Sequence, residues 1–149
     1  MGWKEIFTDV LYRCVMELMG KLFDQQGATV YFQEFWPKPS FVNSSGVYAS
    51  HADDVYMLFG YPFLYPLLAT DIERKTSLRM IGTLAAFAKD GKLPLLEDGS
   101  QWPEYSKAAG FAVIEHRHSG YSNTEPNRNC VAALSLNCDS KVSRLTPLF

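Results

Sequence analysis

One histidine stands out among the residues able to do chemistry. In Ser50-His51-Ala52-Asp53-Asp54-Val55-Tyr56-Met57-Leu58-Phe59-Gly60, His51 precedes a short run whose apolar residues, Val55, Leu58 and Phe59, recur at helical spacing. The two aspartates sit where the first turn of such a helix would be, and Ser50 is of the N-cap type. A histidine at a helix entrance has solvent on one side and packed chain on the other. Modest surroundings then bring its charge change near neutral pH, which is what a general base needs. An ordinary helix start has the same residues, so the local pattern leaves both readings open.

The remaining reactive residues define little by themselves. Cys14, Cys130 and Cys138 allow at most one bridge and leave one thiol over. Cys130 and Cys138 lack paired metal-ligand spacing, and His116-Arg117-His118 offers only two ligands, so no metal is expected. No serine has glycines two places away on both sides, so a nucleophile elbow is absent. Asn43-Ser44-Ser45 is an N-glycosylation triplet, which requires a surface position in a secreted protein.

The elements that must position His51 follow from periodicity. Thr8-Asp9 offers a helix start, and Leu11, Cys14, Val15, Leu18, Met19 and Leu22 mark one amphipathic helix ending near Asp24 to Gly27. Residues 28–35, rich in β-branched and aromatic types, predict a strand stopped by Pro37 and Pro39. A long loop then leads to His51, as in open α/β sheets, which build sites beyond the carboxyl ends of strands. Residues 61–68, with Pro62 and Pro66, read as too proline-rich for a helix. Thr70-Asp71-Ile72-Glu73 is a capping box, with Asp71 and Lys75 as a four-spaced pair. The helix it opens places Leu78, Ile81, Leu84, Ala85 and Ala88 on one face, and Gly91 ends it. Residues 111–115 predict a short edge strand, and the polar sequence from Ser119 onward predicts a loop.

Composition narrows the classes. With 149 residues, 47% of them hydrophobic, and a net charge of −2, the chain has the make-up of one ordinary globular domain. It has no basic cluster, which argues against a nucleic-acid partner. Its longest uncharged apolar stretch, Val55 to Thr70, is broken by Gly60, Pro62 and Pro66 and falls short of the roughly 20 residues that span a bilayer, so no transmembrane segment is expected. Met1-Gly2-Trp3-Lys4-Glu5 is polar and does not read as a signal peptide.

The segment His51 to Gly60 resembles the histidine segment of the type B carboxylesterases, the family that includes cholinesterases and insect juvenile hormone esterases. The helix from Thr70 to Lys89, with Ser77-Leu78-Arg79-Met80-Ile81 and Ala85-Ala86-Phe87-Ala88, is similar to that family's long late helix. Trp102-Pro103-Glu104-Tyr105 is similar to an element that follows it. The resemblance covers about Thr8 to Tyr105, with a fainter continuation to Cys130 and a weakly matching tail over 119–149.

The resemblance implies an α/β fold: the C-terminal part of an α/β-hydrolase, with one late parallel strand, flanking helices and a histidine loop, incomplete as a domain over 1–149. It implies a piece of a serine carboxylic ester hydrolase that acts on a small-molecule carboxylic ester without a cofactor. His51 would be the triad histidine; the serine, the acid and the oxyanion loop would lie upstream, so neither Asp53 nor Asp54 is the triad acid. The chain alone is then expected to be inactive and poorly stable. The family pairing also picks Cys14 with Cys130 as the disulfide and leaves Cys138 free, against the alternative of three reduced, partly buried thiols. The resemblance points to a secreted parent, in which the Asn43 triplet would be a glycosylation site. An alternative is a non-catalytic carboxylesterase-like binding or adhesion module. The short end, Ser140 to Phe149, departs from the family's terminal helix and leaves oligomeric state undefined. The family commonly has glycine three residues before the histidine and directly after it. Here those positions hold Tyr48 and Ala52, the second of which reads as a mild change.

Overall fold

In the computed structural model, which describes residues 7–43, 46–105, 111–114, 119–122 and Cys130, the chain divides into two units. One takes Met1–Val30, Glu104–Gly110 and Asn123–Phe149; the other takes Tyr31–Pro103 and Phe111–Ser122.

In the first unit a π-helical turn, Asp9–Arg13, runs into helix α1, Cys14–Gln25. Thr8 is already helical and makes no side-chain cap bond, unlike the start expected there. The buried carboxylate of Asp9 accepts from Arg13 one turn on, at 3.2 Å. The helix stops where expected: Gly27 takes a φ of +80°, and its N–H donates to the Asp24 carbonyl at 2.9 Å. Of the apolar stripe only Cys14 is buried; Leu11, Val15, Met19 and Leu22 are exposed.

The second unit holds a three-stranded sheet. The strand expected over 28–35 contracts to β1, Gln33–Phe35, which pairs parallel with β2, Phe111–Ile114. β2 pairs antiparallel with β3, Ser119–Ser122. β2, expected at an edge, is therefore central. Ala112, Val113 and Ile114 are all buried, as suits a continuous apolar run covered on both faces. β3 corrects the loop expected from Ser119. Ser-Gly-Tyr-Ser carries no strand pattern of its own, and pairing with β2 imposes the extended conformation.

Between β1 and β2 lie helices α2 (Asp53–Leu58), α3 (Tyr61–Leu64) and α4 (Asp71–Asp90). α3 forms despite its proline, because Pro62 sits in the first turn, where a missing N–H leaves no helical bond unmade. α4 has the expected capping box between Thr70 and Glu73, and Gly91 caps its end at φ +64°. Asp71 pairs with Arg74 rather than Lys75. The core joins Met57, Met80 and Ile114, flanked by Phe35, Phe41 and Leu58. The face that α4 buries is Glu73, Thr76, Ser77, Met80 and Thr83, whereas Leu78, Ile81, Leu84, Ala85 and Ala88 are exposed. The expected face is thus turned outward, because Glu73 and Ser77 have specific partners on the inner side.

Candidate functional site

The site is built outward from the end of β1. Trp36 N–H donates to Ile114 O at 3.1 Å, which carries the β1–β2 ladder one residue beyond the strand, and Trp36 O accepts from Ala49 N–H at 2.9 Å. That second bond brings the approach to His51 back to the strand's carboxyl end. A further tie runs from Ser40 to α4: Ser40 N–H donates to Glu73 Oε1 at 2.5 Å, and Ser40 Oγ lies 2.8 Å from Glu73 Oε2. The same carboxylate accepts from Thr70 N–H at 2.6 Å and from Thr70 Oγ1 at 2.9 Å. Burial pushes the Glu73 carboxyl up, but these donors from Ser40 and Thr70 outweigh it and hold the group below the ordinary glutamate value.

His51 occupies a closed turn. Asp53 N–H donates to Ser50 O at 3.1 Å, and Ser50 N–H donates to Asp53 Oδ2 at 2.7 Å. Ala52 lies between them at φ 70°, ψ 7°, the third-position geometry of a type II turn, with His51 at the second position. His51 itself is exposed, while Asp53 is buried. Two sequence expectations change here. Ser50 does not cap the helix through its hydroxyl; Ala52 is the cap residue, and the carboxylate of Asp53 reaches back instead. Nor is alanine after the histidine a mild change, since a left-handed φ is one that glycine adopts freely and alanine at a cost of about 1 kcal/mol or more. Tyr48, the other departure, is exposed, so its ring stands in solvent.

The turn leads into a packed helix. Ser77 Oγ donates to Met57 O at 2.6 Å in the buried seam between α4 and α2, where Met57 and Met80 are in the same cluster. Phe41 and Tyr56 meet edge to face at 5.9 Å, and Tyr56 meets Tyr61 at 4.9 Å. An exposed imidazole on such a turn, past the carboxyl end of a parallel strand, can take a proton from a group brought to it and return it.

Among the sequence-predicted residues, Asn43 is exposed, while Ser44 and Ser45 lie outside the described residues. In the other unit Cys14 and Cys130 are buried and joined sulfur to sulfur, with Cα atoms 4.9 Å apart and 116 residues between them in sequence. Cys138 and residues 115–118 lie outside the described residues, as does the tail from 123 apart from Cys130. Among the described residues no three His, Cys, Asp or Glu side chains are grouped to hold a metal ion, and no helix is long and apolar enough to cross a membrane. The tie between Ser40 and Glu73 is one that sequence reasoning missed. The capping box marked Glu73 as a cap partner, but its second role depends on a residue 33 positions away.

Comparison with known proteins decides the family. The model of the Carboxylesterase family matches residues 1–131. The chain belongs to the carboxylesterase family. It is similar to carboxylesterase 1C of Rattus norvegicus, with 32% identity over 113 residues, and to acetylcholinesterase-1 of Trittame loki, with 34% over 113. Each match covers 74% of this chain and 20% of the relative. Carboxylesterase 1D of Mus musculus is similar at 29% over 115 residues, covering 75% and 20%. The chain thus spans about a fifth of the length of the curated relatives it matches. Carboxylesterase membership fits the α/β arrangement around β1 and β2, and His51, Cys14 and Cys130 all lie within the matched region.

Proposed function

We propose that this chain supplies the histidine corner of a serine carboxylic ester hydrolase, the C-terminal part of its α/β-hydrolase fold, with His51 as the general base. The observation that carries the reading is the placement of His51 on a tied turn past the end of a parallel strand, within a region matched by the carboxylesterase family. In this reading the imidazole takes the proton of a serine supplied by other parts of the protein and returns it to the departing alcohol. The substrate is a small-molecule carboxylic ester and no cofactor takes part. The isolated chain, without nucleophile or oxyanion donors, hydrolyses no ester. Cys14 and Cys130 form a native bridge, and glycosylation at Asn43 goes with a secretory route.

The test is a segment exchange. Residues 8–130 replace the aligned segment of rat carboxylesterase 1C, and hydrolysis of p-nitrophenyl butyrate is followed with and without His51→Ala. Loss of the general base should lower kcat by about 10⁴-fold or more. An unchanged kcat refutes the assignment, and His51-dependent hydrolysis by the pure 149-residue chain refutes the inactivity of the isolated chain.

A further inference from the structure

We infer that Asp53 is the positioning residue of His51, holding the histidine turn through its carboxylate rather than through charge on the ring; this rests on His51 as the general base. Three observations converge. Asp53 is buried although charged residues are seldom so unless paired. Its side chain accepts the Ser50 N–H at 2.7 Å while its own N–H donates to Ser50 O at 3.1 Å, so the residues flanking His51 are bonded to each other twice. Within that ring Ala52 is held at a φ of 70°, a conformation alanine leaves unless its surroundings fix it. The turn is therefore over-determined at both ends and strained at its tip. His51, on the solvent side, has its backbone direction set by the bonds between Ser50 and Asp53. The free-energy cost of the left-handed alanine is offset by the two bonds, and the side-chain bond is the one a single substitution can remove.

The inference separates Asp53 from its neighbour. Asp54 is only half-buried, and among the described residues no hydrogen bond joins its carboxylate to the turn in the way Asp53 is joined. An amide in place of the Asp53 carboxylate keeps an acceptor oxygen and loses the charge, so the asparagine variant distinguishes geometry from electrostatics.

The test reads the turn directly in the full chain by residue-resolved amide hydrogen exchange. In the unmutated protein the Ser50 and Asp53 amides exchange at least about tenfold more slowly than unprotected amides. Asp53→Ala removes most of the Ser50 protection and leaves that of Met80, in the core, unchanged; Asp53→Asn restores Ser50 protection to within about threefold of the original. In the exchanged-segment esterase, Asp53→Ala lowers kcat about 10- to 100-fold with KM unchanged, and Asp53→Asn recovers most of it. A Ser50 amide that exchanges freely in the unmutated chain overturns the inference without any variant, and so does an asparagine variant as impaired as alanine. Should His51→Ala leave kcat unchanged, the general-base reading fails instead, whatever the exchange data show about the turn.

Discussion

At the scale of single residues, two carboxylates tie the chain around His51 through hydrogen bonds. Asp53 closes the histidine turn, and Glu73 gathers four donors from Ser40 and Thr70. Because Glu73 is held below its ordinary value of 4.5, it contributes stability that is fully present above that value. That contribution is lost as pH falls through the lower folded value. Glu73→Gln, which turns an NH₂ toward these donors, is expected to destabilise by about 2 kcal/mol near neutrality. The variant should also lose less stability than the parent between about pH 5 and about pH 3, which urea-unfolding midpoints at the two pH values would measure. An equal acid-induced loss in both proteins would remove Glu73 from the account.

At the scale of elements, α4 shows how polar contacts overrule an apolar pattern. Leu78, Ile81 and Leu84 mark a hydrophobic face by spacing, yet Leu78 and Leu84 are 59% and 54% exposed, while Met80 is 2% exposed. The helix is oriented by Glu73 at its first turn and by Ser77 bonded to Met57 O, and these residues share a stripe with Met80. Met80→Ala should therefore cost about 3 kcal/mol, as large-to-small changes in a packed core do, whereas Leu84→Ala should stay within about 0.5 kcal/mol. Comparing the two by urea denaturation discriminates between the faces; the reverse order would mean that the spacing, not the hydrogen bonds, orients the helix. α1 presents a related case, since Leu11, Val15, Met19 and Leu22 are exposed within their own unit. An amphipathic stripe left largely exposed among the described residues is what the proposed place in a larger hydrolase leads one to expect.

At the scale of the whole molecule, the long-range tie is the Cys14–Cys130 pair, 116 residues apart. A bridge closing so long a loop restricts the unfolded chain by about 4 to 5 kcal/mol on loop-entropy grounds. Cys14→Ser should lower the unfolding midpoint by a corresponding amount, and reduction of the parent should lower it to the same value. A midpoint indifferent to both would show that the bridge does not contribute to stability.

Much was legible in the sequence by itself because it is local. The α1 stop at Gly27, the Thr70–Glu73 capping box, the Gly91 cap and the histidine ahead of a short helix each depend on residues within a turn of one another. Residue motifs also carried the carboxylesterase resemblance, which the family match over 1–131 bears out. What only the tertiary structure decided involves partners far apart in the chain. β3 is a strand because β2 pairs with it, and β2 is central because β1 and β3 both reach it. α4 turns its polar stripe inward because Ser40 and Met57 O are there to receive it. The direction of the Ser50–Asp53 bond was not readable either. A serine and an aspartate three residues apart can cap in either sense, and the left-handed φ of Ala52 goes with the one in which Asp53 reaches back. Local preferences depend on neighbours in sequence, whereas these choices depend on which distant group is present to accept a hydrogen bond or exclude water.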